Sequence, residues 1–455
     1  MSGVSLSQMD LIREAFHYQS RFEGSTMVFK IDFPVTEDAG FPYLVKDLAL
    51  LAKTGFKVVI VPGAKEFIDS ILGGQEITAE WTGRDDFSEP SRITGAAAMP
   101  FVEMAAFHVA TRYMTFLSGS RVEAIIGNFV RARGLGVQNG VDMGHTGTVD
   151  KIFTDSISKA LNLGMIPILP CIGWSPSGKP YNVPSGEIAL AAATALGASK
   201  FFIISAHEGL RGGVDALPEN IETRPDGSLV RLTPAEAQAV LEVNARKADN
   251  DLGLQKKLRD LRIALLASRA GVDRAHIIDG REEGAVLKEL FSNLGVGTML
   301  YADEYESIRA FHSRDLPDIL RLMEPLMQQG ILVRRGGEQI QEKKDDYAVF
   351  DIDGSVRACG ALYDWGEGQG EIAAIATDPQ YGQAGLGRRM VGYLIEKARK
   401  KNMSRVFVLT THTQDWFEAL GFREASVESL PERKRKLYNQ QRKSKVFALE
   451  LSPHR

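Results

Sequence analysis

Cysteine is nearly absent: Cys171 and Cys359 are far apart and carry no metal-type spacing, which argues against a disulfide framework or a zinc site. Long apolar runs are missing too. Charge or glycine interrupts every hydrophobic stretch well short of the roughly 20 residues that a bilayer span needs. The N-terminus MSGVSLSQMD has no basic region leading into an apolar one, so a cytoplasmic protein with no membrane partner is expected. Nor is there an excess of either charge. Lys and Arg total 54 against 58 Asp and Glu, a formal net charge of -4, so nothing draws the chain toward nucleic acid and any anionic ligand must be held by local geometry. Internal repeats and low-complexity tracts are also lacking.

What is present is ordinary globular usage, 44% hydrophobic and 25% charged, spread over 455 residues. That is too long for one core and favours two domains. The first part alternates short apolar strands (MVFKI, KVVIV, AIIG, MIPILP, KFFIIS) with amphipathic helices, which implies a parallel sheet wrapped by helices. A helix bearing Leu11, Ile12, Ala15 and Phe16 on one face precedes the first strand, an appendage of the kind that packs on another subunit. Leu217 to Glu236 reads as a hairpin or surface insertion, and HIIDG through GVGTML closes a first domain spanning residues 1–300. Residues 301–455 form the second. It is expected to open with a helix from Ser307 to Met327 and to continue through the strands YAVFD, ACGALYDW and EIAAIAT.

The segment DPQYGQAGLGRRMVGYLIEKARKK is the most informative. It places a Gly-rich turn before a helix with apolar positions at Met390, Val391, Leu394, Ile395 and Ala398. The first helical N–H groups have no intrahelical partner, so this start suits a pyrophosphate. Gly385 and Gly387 admit close backbone approach, while Arg388 and Arg389 add charge at the positive end of the helix dipole.

This segment resembles the GNAT superfamily of N-acetyltransferases, which implies acetyl-CoA as co-substrate and no permanently bound cofactor or metal. Gly382 stands where that family carries Arg or Gln, leaving Gln383 or Arg388 to supply the missing contact. In the resembled family a bulge in the strand matching EIAAIAT exposes amides to the thioester carbonyl, which nominates Ile375 and Ala376. An amine must lose a proton before it attacks, and Glu371 at the mouth of that strand is the candidate base. The family's tyrosine acid is absent because Phe417 occupies its place, so Thr410, Thr411 and Tyr438 stay open as donors to the thiolate.

A substrate with two carboxylates requires at least two cationic or hydrogen-bonding anchors, and arginine suits carboxylate geometry best. GILVRR and LYNQQRKSKV supply them; singly each reads as a solvated charged face, and KRK near Arg435 as a nucleic-acid patch. Together with QGEIAAIAT, FVLTTHTQDWFEALGF and LPERKRKLYNQQRKSKV they resemble the acetyltransferase domain of the bacterial N-acetylglutamate synthase family. That resemblance implies acetyl transfer to L-glutamate, the first step of arginine biosynthesis. Leu332, Arg334, Arg442 and Ser444 would bind glutamate, and Leu409 with Thr410 would line the acetyl-CoA cleft.

Residues 1–300 resemble the amino-acid kinase fold in KVVIVPGAKEFID, GNFVRARGLGVQNGVDMGHTGTVDKI and PCIGWSPSGKPYNVPSGEIALAAA. The expected fold class is therefore α/β, a kinase-like parallel-sheet sandwich followed by a GNAT-type α/β domain. Ile31, Asp32 and Phe33 follow Lys30 where glycines are needed, and Pro62, Gly63, Ala64 and Lys65 replace a Gly-rich turn. Phosphoryl transfer is not expected. The resemblance implies instead an allosteric L-arginine pocket built from Tyr18, His276, Glu289 and Gly295, feedback inhibition, and a homo-oligomer, hexamer or tetramer. Two other readings are an active acetylglutamate kinase, opposed by the damaged turns, and a non-catalytic arginine sensor, opposed by intact Glu371, Arg334 and Arg442.

Overall fold

Strands that read as unbroken apolar runs must be covered on both faces, and the first unit is built on that requirement. The computed structural model describes residues 22–81, 89–218, 221, 223–248, 251–291, 295–301, 306–352, 355–379 and 385–451. The chain divides into two compact units, Met1–Asp303 and Glu304–Arg455. Tyr18 and the N-terminal amphipathic segment lie outside the described residues, as does Gln383.

The strands of the first unit's main sheet are β1 (Thr26–Ile31), β2 (Lys57–Pro62), β3 (Ala124–Ile126), β4 (Ile166–Ile168), β5 (Lys200–Ser205), β6 (Arg231–Leu232), β7 (Arg274–Asp279) and β8 (Thr298–Tyr301). Their order is β6-β8-β7-β5-β1-β2-β4-β3, parallel except at the antiparallel β7–β8 pair. Alternation along each strand feeds two cores. Phe29, Ile60 and Phe202 point to one, covered by α1 (Phe41–Lys53) and α2 (Met99–Gly119). Val28, Val59 and Phe201 point to the other, covered by α3 (Ser185–Ala195) and α4 (Leu252–Arg269). The result is the expected parallel sheet between helical layers.

Among its described residues the second unit has one seven-stranded sheet of β9 (Glu306–Ala310), β10 (Tyr347–Ile352), β11 (Ser355–Asp364), β12 (Gln369–Thr377), β13 (Arg405–Thr410), β14 (Arg423–Ala425) and β15 (Lys445–Glu450), ordered β9-β10-β11-β12-β13-β15-β14. The helix expected from Ser307 begins later. Ser307 to Ala310 instead pairs antiparallel with Ala348 to Asp351, and Arg309 reaches Asp315 (2.7 and 2.9 Å) and Asp351 (2.7 Å). Cross-strand pairing and this ion-pair cluster override local helical periodicity, and the helix, α5, runs Leu316–Gln328. It covers one face of the sheet. The other face is covered by α6 (Leu386–Lys400), which buries Leu386, Met390, Val391, Leu394 and Ala398.

Contact between α6 and the sheet depends on Gly360 in β11. A Cβ there would lie 2.7 Å from Ile375 Cδ1, 2.9 Å from Leu394 Cδ1 and 3.0 Å from Met390 Cγ. Gly360→Ala is therefore expected to destabilise the second unit by about 1–3 kcal/mol through overpacking; an unchanged denaturation midpoint would refute this.

Candidate functional site

The site in the second unit begins with two irregularities in β12. Opposite β11, Cys359 pairs with Ala376 and Ala361 with Ala373, so the register slips around Gly360. Ala374 takes up the extra residue with a left-handed backbone (φ 54°), a bulge that turns the local peptide groups out of the ladder. On its other side β12 runs parallel to β13 for three pairs, ending at Glu371–Phe407, while β13 continues alongside β15 to Thr410–Lys445. Among the described residues no ladder joins β12 to β13 beyond that point. The strands part after that pair, with Glu371 where the gap opens.

Glu371 is 5% exposed. Its Oε2 accepts from Trp365 Nε1 at 2.8 Å and from Lys434 Nζ at 2.6 Å. Directly opposed residues in an antiparallel pair share a face, and Tyr363 is opposite Glu371. Tyr363 donates to Tyr347 at 2.9 Å; burial raises both phenols above their ordinary range.

The start of α6 lies beyond the far end of β12. Gly385 is left-handed (φ 67°) and caps it, a conformation that glycine adopts without strain. A Cβ on Gly387 would press on Trp416 at 3.3 Å. Arg388 is exposed, and Arg389 lies over the Phe350 ring at 4.6 Å. Leu409 is half-buried against the small cluster of Phe407, Leu430, Val446 and Ala448, which Trp365 and Tyr438 also cover. Thr410 Oγ1 accepts the Thr413 amide at 3.1 Å and contacts the Thr413 hydroxyl at 2.8 Å, so it also closes the turn into the helix Gln414–Ala419. The Tyr438 hydroxyl is committed to the Ser444 carbonyl (2.7 Å), and Phe417 is in the core.

The two arginine-bearing stretches meet. Arg442 Nη2 donates to the carbonyls of Gly330, at 3.2 Å, and Ile331. Its Nε is buried with no hydrogen-bond partner among the described residues. Burial and the positive charge of Arg335 hold its pKa below the usual guanidinium value. Ser444 is buried, and Leu332 is half-buried against the α5 core. Arg334 is exposed, whereas Arg335 lies 5.8 Å over the Tyr363 ring. GILVRR offers both Arg334 and Arg335 as cationic anchors and the resemblance carries only Arg334 into the glutamate site, while neither points to Trp365 or Lys434. Composition does not distinguish adjacent arginines, or one lysine in a basic run, until the ring each lies over is known.

In the first unit His276, Glu289 and Gly295 come together. His276 Nδ1 is 2.7 Å from Glu289 Oε1, and Glu289 Oε2 accepts from the Val296 (2.7 Å) and Gly297 (2.8 Å) amides. Burial pushes this carboxyl up, but the His276 hydrogen bond and charge and the two amides outweigh it, leaving the pKa below the ordinary value. Gly295 is left-handed, and a Cβ there would collide with the Glu289 carboxylate. Elsewhere Lys30 is closed in by Asp32 (2.6 Å) and Asp260 (3.4 Å), and His207 holds Asp260 at 3.0 Å. A lysine so neutralised is poorly placed to hold a transferring phosphoryl group. Glu187 accepts the Val149 amide at 2.7 Å. No group of His, Cys, Asp and Glu among the described residues is arranged to hold a metal ion, and none of their helices is long and apolar enough to cross a membrane.

Comparison with known proteins agrees with this division. Residues 34–279 match the amino acid kinase family and residues 316–422 the acetyltransferase (GNAT) family. The amino-acid acetyltransferase of Escherichia coli K12 is 34% identical over 450 residues, covering 96% of this chain and 97% of its own. That of Vibrio cholerae is 33% identical over 451 residues, with the same coverage. The structure of N-acetylglutamate synthase from Neisseria gonorrhoeae with coenzyme A and L-arginine superposes with a TM-score of 0.81 at 31% identity, covering 98% of this chain and 100% of that one. The same enzyme with coenzyme A and N-acetyl-glutamate gives 0.58 at 32% identity, with the same coverage.

The buried charges of the first unit imply a pH dependence. Asp260 is held down at about 2: burial pushes it up, but Lys30 and His207 prevail. Its stabilisation is present above the unfolded value of about 3.9 and is lost as pH falls toward about 2. Burial lowers the His207 pKa, but Asp260 raises it further, to a net value above the ordinary one. Its contribution is complete below about pH 6.5 and is lost as pH rises through the folded value. Thermal melts from about pH 6 to about pH 9 should show a decline in stability that His207→Gln flattens; equal slopes in the two proteins would exclude His207 as its source.

Proposed function

Since the chain belongs to the amino-acid acetyltransferase family, we propose that it acetylates the amino group of L-glutamate from acetyl-CoA, releasing N-acetyl-L-glutamate and CoA as the entry step of arginine biosynthesis. The observation that carries this reading is the gap between β12 and β13, with Glu371 where it opens and the bulge along one side. The start of α6, through Gly385, Gly387, Arg388 and Gln383, would hold the pyrophosphate of acetyl-CoA. Amides at Ile375 and Ala376 would polarise the thioester carbonyl and stabilise the oxyanion that develops. Arg442 and Ser444, with Leu332 and Arg334 from the other stretch, would fix the two carboxylates of glutamate. Glu371 would take one ammonium proton and the freed nitrogen would attack the acetyl carbon; as the C–S bond breaks, the second proton of that nitrogen would pass through the Thr410 hydroxyl, as a relay, to the departing CoA sulfur.

Residues 1–300 would form the regulatory domain and 301–455 the catalytic one. L-Arginine would bind at His276, Glu289 and Gly295 with Tyr18, and would bias the transferase through a coupling free energy. A cytoplasmic homo-oligomer, hexamer or tetramer, fits the family.

Thiol-release assays with acetyl-CoA and a panel of amino acids test the reaction: CoA should appear with glutamate, and its absence under every effector condition would refute the assignment. Arg442→Ala should weaken glutamate binding by about 1.5–3 kcal/mol, the worth of a charged hydrogen bond, and leave acetyl-CoA binding nearly intact; equal losses would remove Arg442 from the glutamate site. Calorimetry should detect L-arginine binding to the native protein and a loss of affinity in Glu289→Ala, whereas undiminished affinity would displace the arginine pocket.

A further inference from the structure

The basic run ERKRK forms the short helix Glu432–Lys436, and its residues do not all face solvent. The Lys436 side chain is 72% exposed and pairs with Glu432 at 2.7 Å. The Lys434 side chain is only 15% exposed and lies 4.8 Å over the Trp365 ring, its Nζ 2.6 Å from Glu371 Oε2. Trp365 donates to that same oxygen. Among the described residues no hydrogen bond reaches Oε1.

We infer that Lys434 and Trp365 are positioning residues for Glu371, fastening Oε2 so that Oε1 is the oxygen that meets the substrate ammonium; this rests on Glu371 being the base. A carboxylate at the mouth of a gap has torsional freedom, and a base displaced by about 1 Å loses much of its effect. Two donors on one oxygen remove that freedom. Trp365 is half-buried against Phe407, Leu430 and Val446, which limits rotation of its ring and so the direction of its N–H. Lys434 adds a charge-assisted bond and a cation–π contact to the same ring, which orients the ammonium as well as neutralising the carboxylate. Among the described residues, the titratable groups facing Glu371 are Lys434 and, from β11, Tyr363. Only Lys434 carries charge at neutral pH.

The test measures kcat, both KM values and the pH profile for Lys434→Met, Lys434→Arg, Trp365→Phe and the exposed control Lys436→Met, with Glu371→Gln in parallel. Lys434→Met should lower kcat between about 10- and 100-fold with KM for acetyl-CoA unchanged. Its acidic limb should move to higher pH, because removing a neighbouring cation disfavours the carboxylate form. Lys434→Arg should recover most of the rate, Trp365→Phe should fall in the same direction by less, and Lys436→Met should match the native enzyme. A native kcat and limb in Lys434→Met beside a crippled Glu371→Gln would overturn the positioning role and leave the base assignment standing. Lys434→Met with raised KM for glutamate alone would also overturn it, assigning Lys434 to a substrate carboxylate. A fully active Glu371→Gln with an unmoved limb would instead remove the base assignment, and the inference with it.

Discussion

The parting of β12 and β13 after the Glu371–Phe407 pair is the constraint on which the candidate site depends. A ladder that stops inside a sheet leaves backbone donors and acceptors without partners, and such groups are costly unless something else satisfies them. The gap is thus a ready place for a ligand that brings its own acceptor, as a thioester carbonyl does. The bulge at Ala374 and the bare backbone of Gly360 belong to the same device. One turns peptide groups out of the β11 ladder, and the other lets α6 press against the sheet beside them.

Charge is handled differently in the two units. Around Lys30 the first unit closes its charges on themselves, with Asp32, Asp260 and His207 in mutual contact. In the second unit Arg335 and Arg442 stay close enough for one to depress the pKa of the other. Two guanidinium groups held close repel each other, and an anion placed between them would offset that repulsion.

The elements legible in the sequence were those for which local pattern and tertiary environment agree. Strands such as KFFIIS read as buried on both faces and are. The Gly-rich turn read before α6 is where Gly385 caps it, in the left-handed conformation that glycine adopts without strain. Ser307 to Ala310 were misread as helix because the ion pairs of Arg309 and the pairing with β10 lie beyond any local window. Within the site, chemistry pointed to Glu371, but not to the pair of donors on one of its oxygens. Lys434 sits in a run whose composition says only that it is charged, and Arg335 differs from Arg334 only in which side of the chain it leaves. Such distinctions belong to rotamer and register, which residue type does not encode.

Hydrogen–deuterium exchange of the full chain with and without acetyl-CoA is the most direct test of whether the open strand edge receives the thioester. Slowed exchange at the amides of Ile375 and Ala376 and across Gly385 to Arg389, with the amides of β1 and β5 in the first unit unaffected, is the expected result. Protection confined to the first unit, or unchanged exchange at Ile375 and Ala376 under saturating acetyl-CoA, would contradict it.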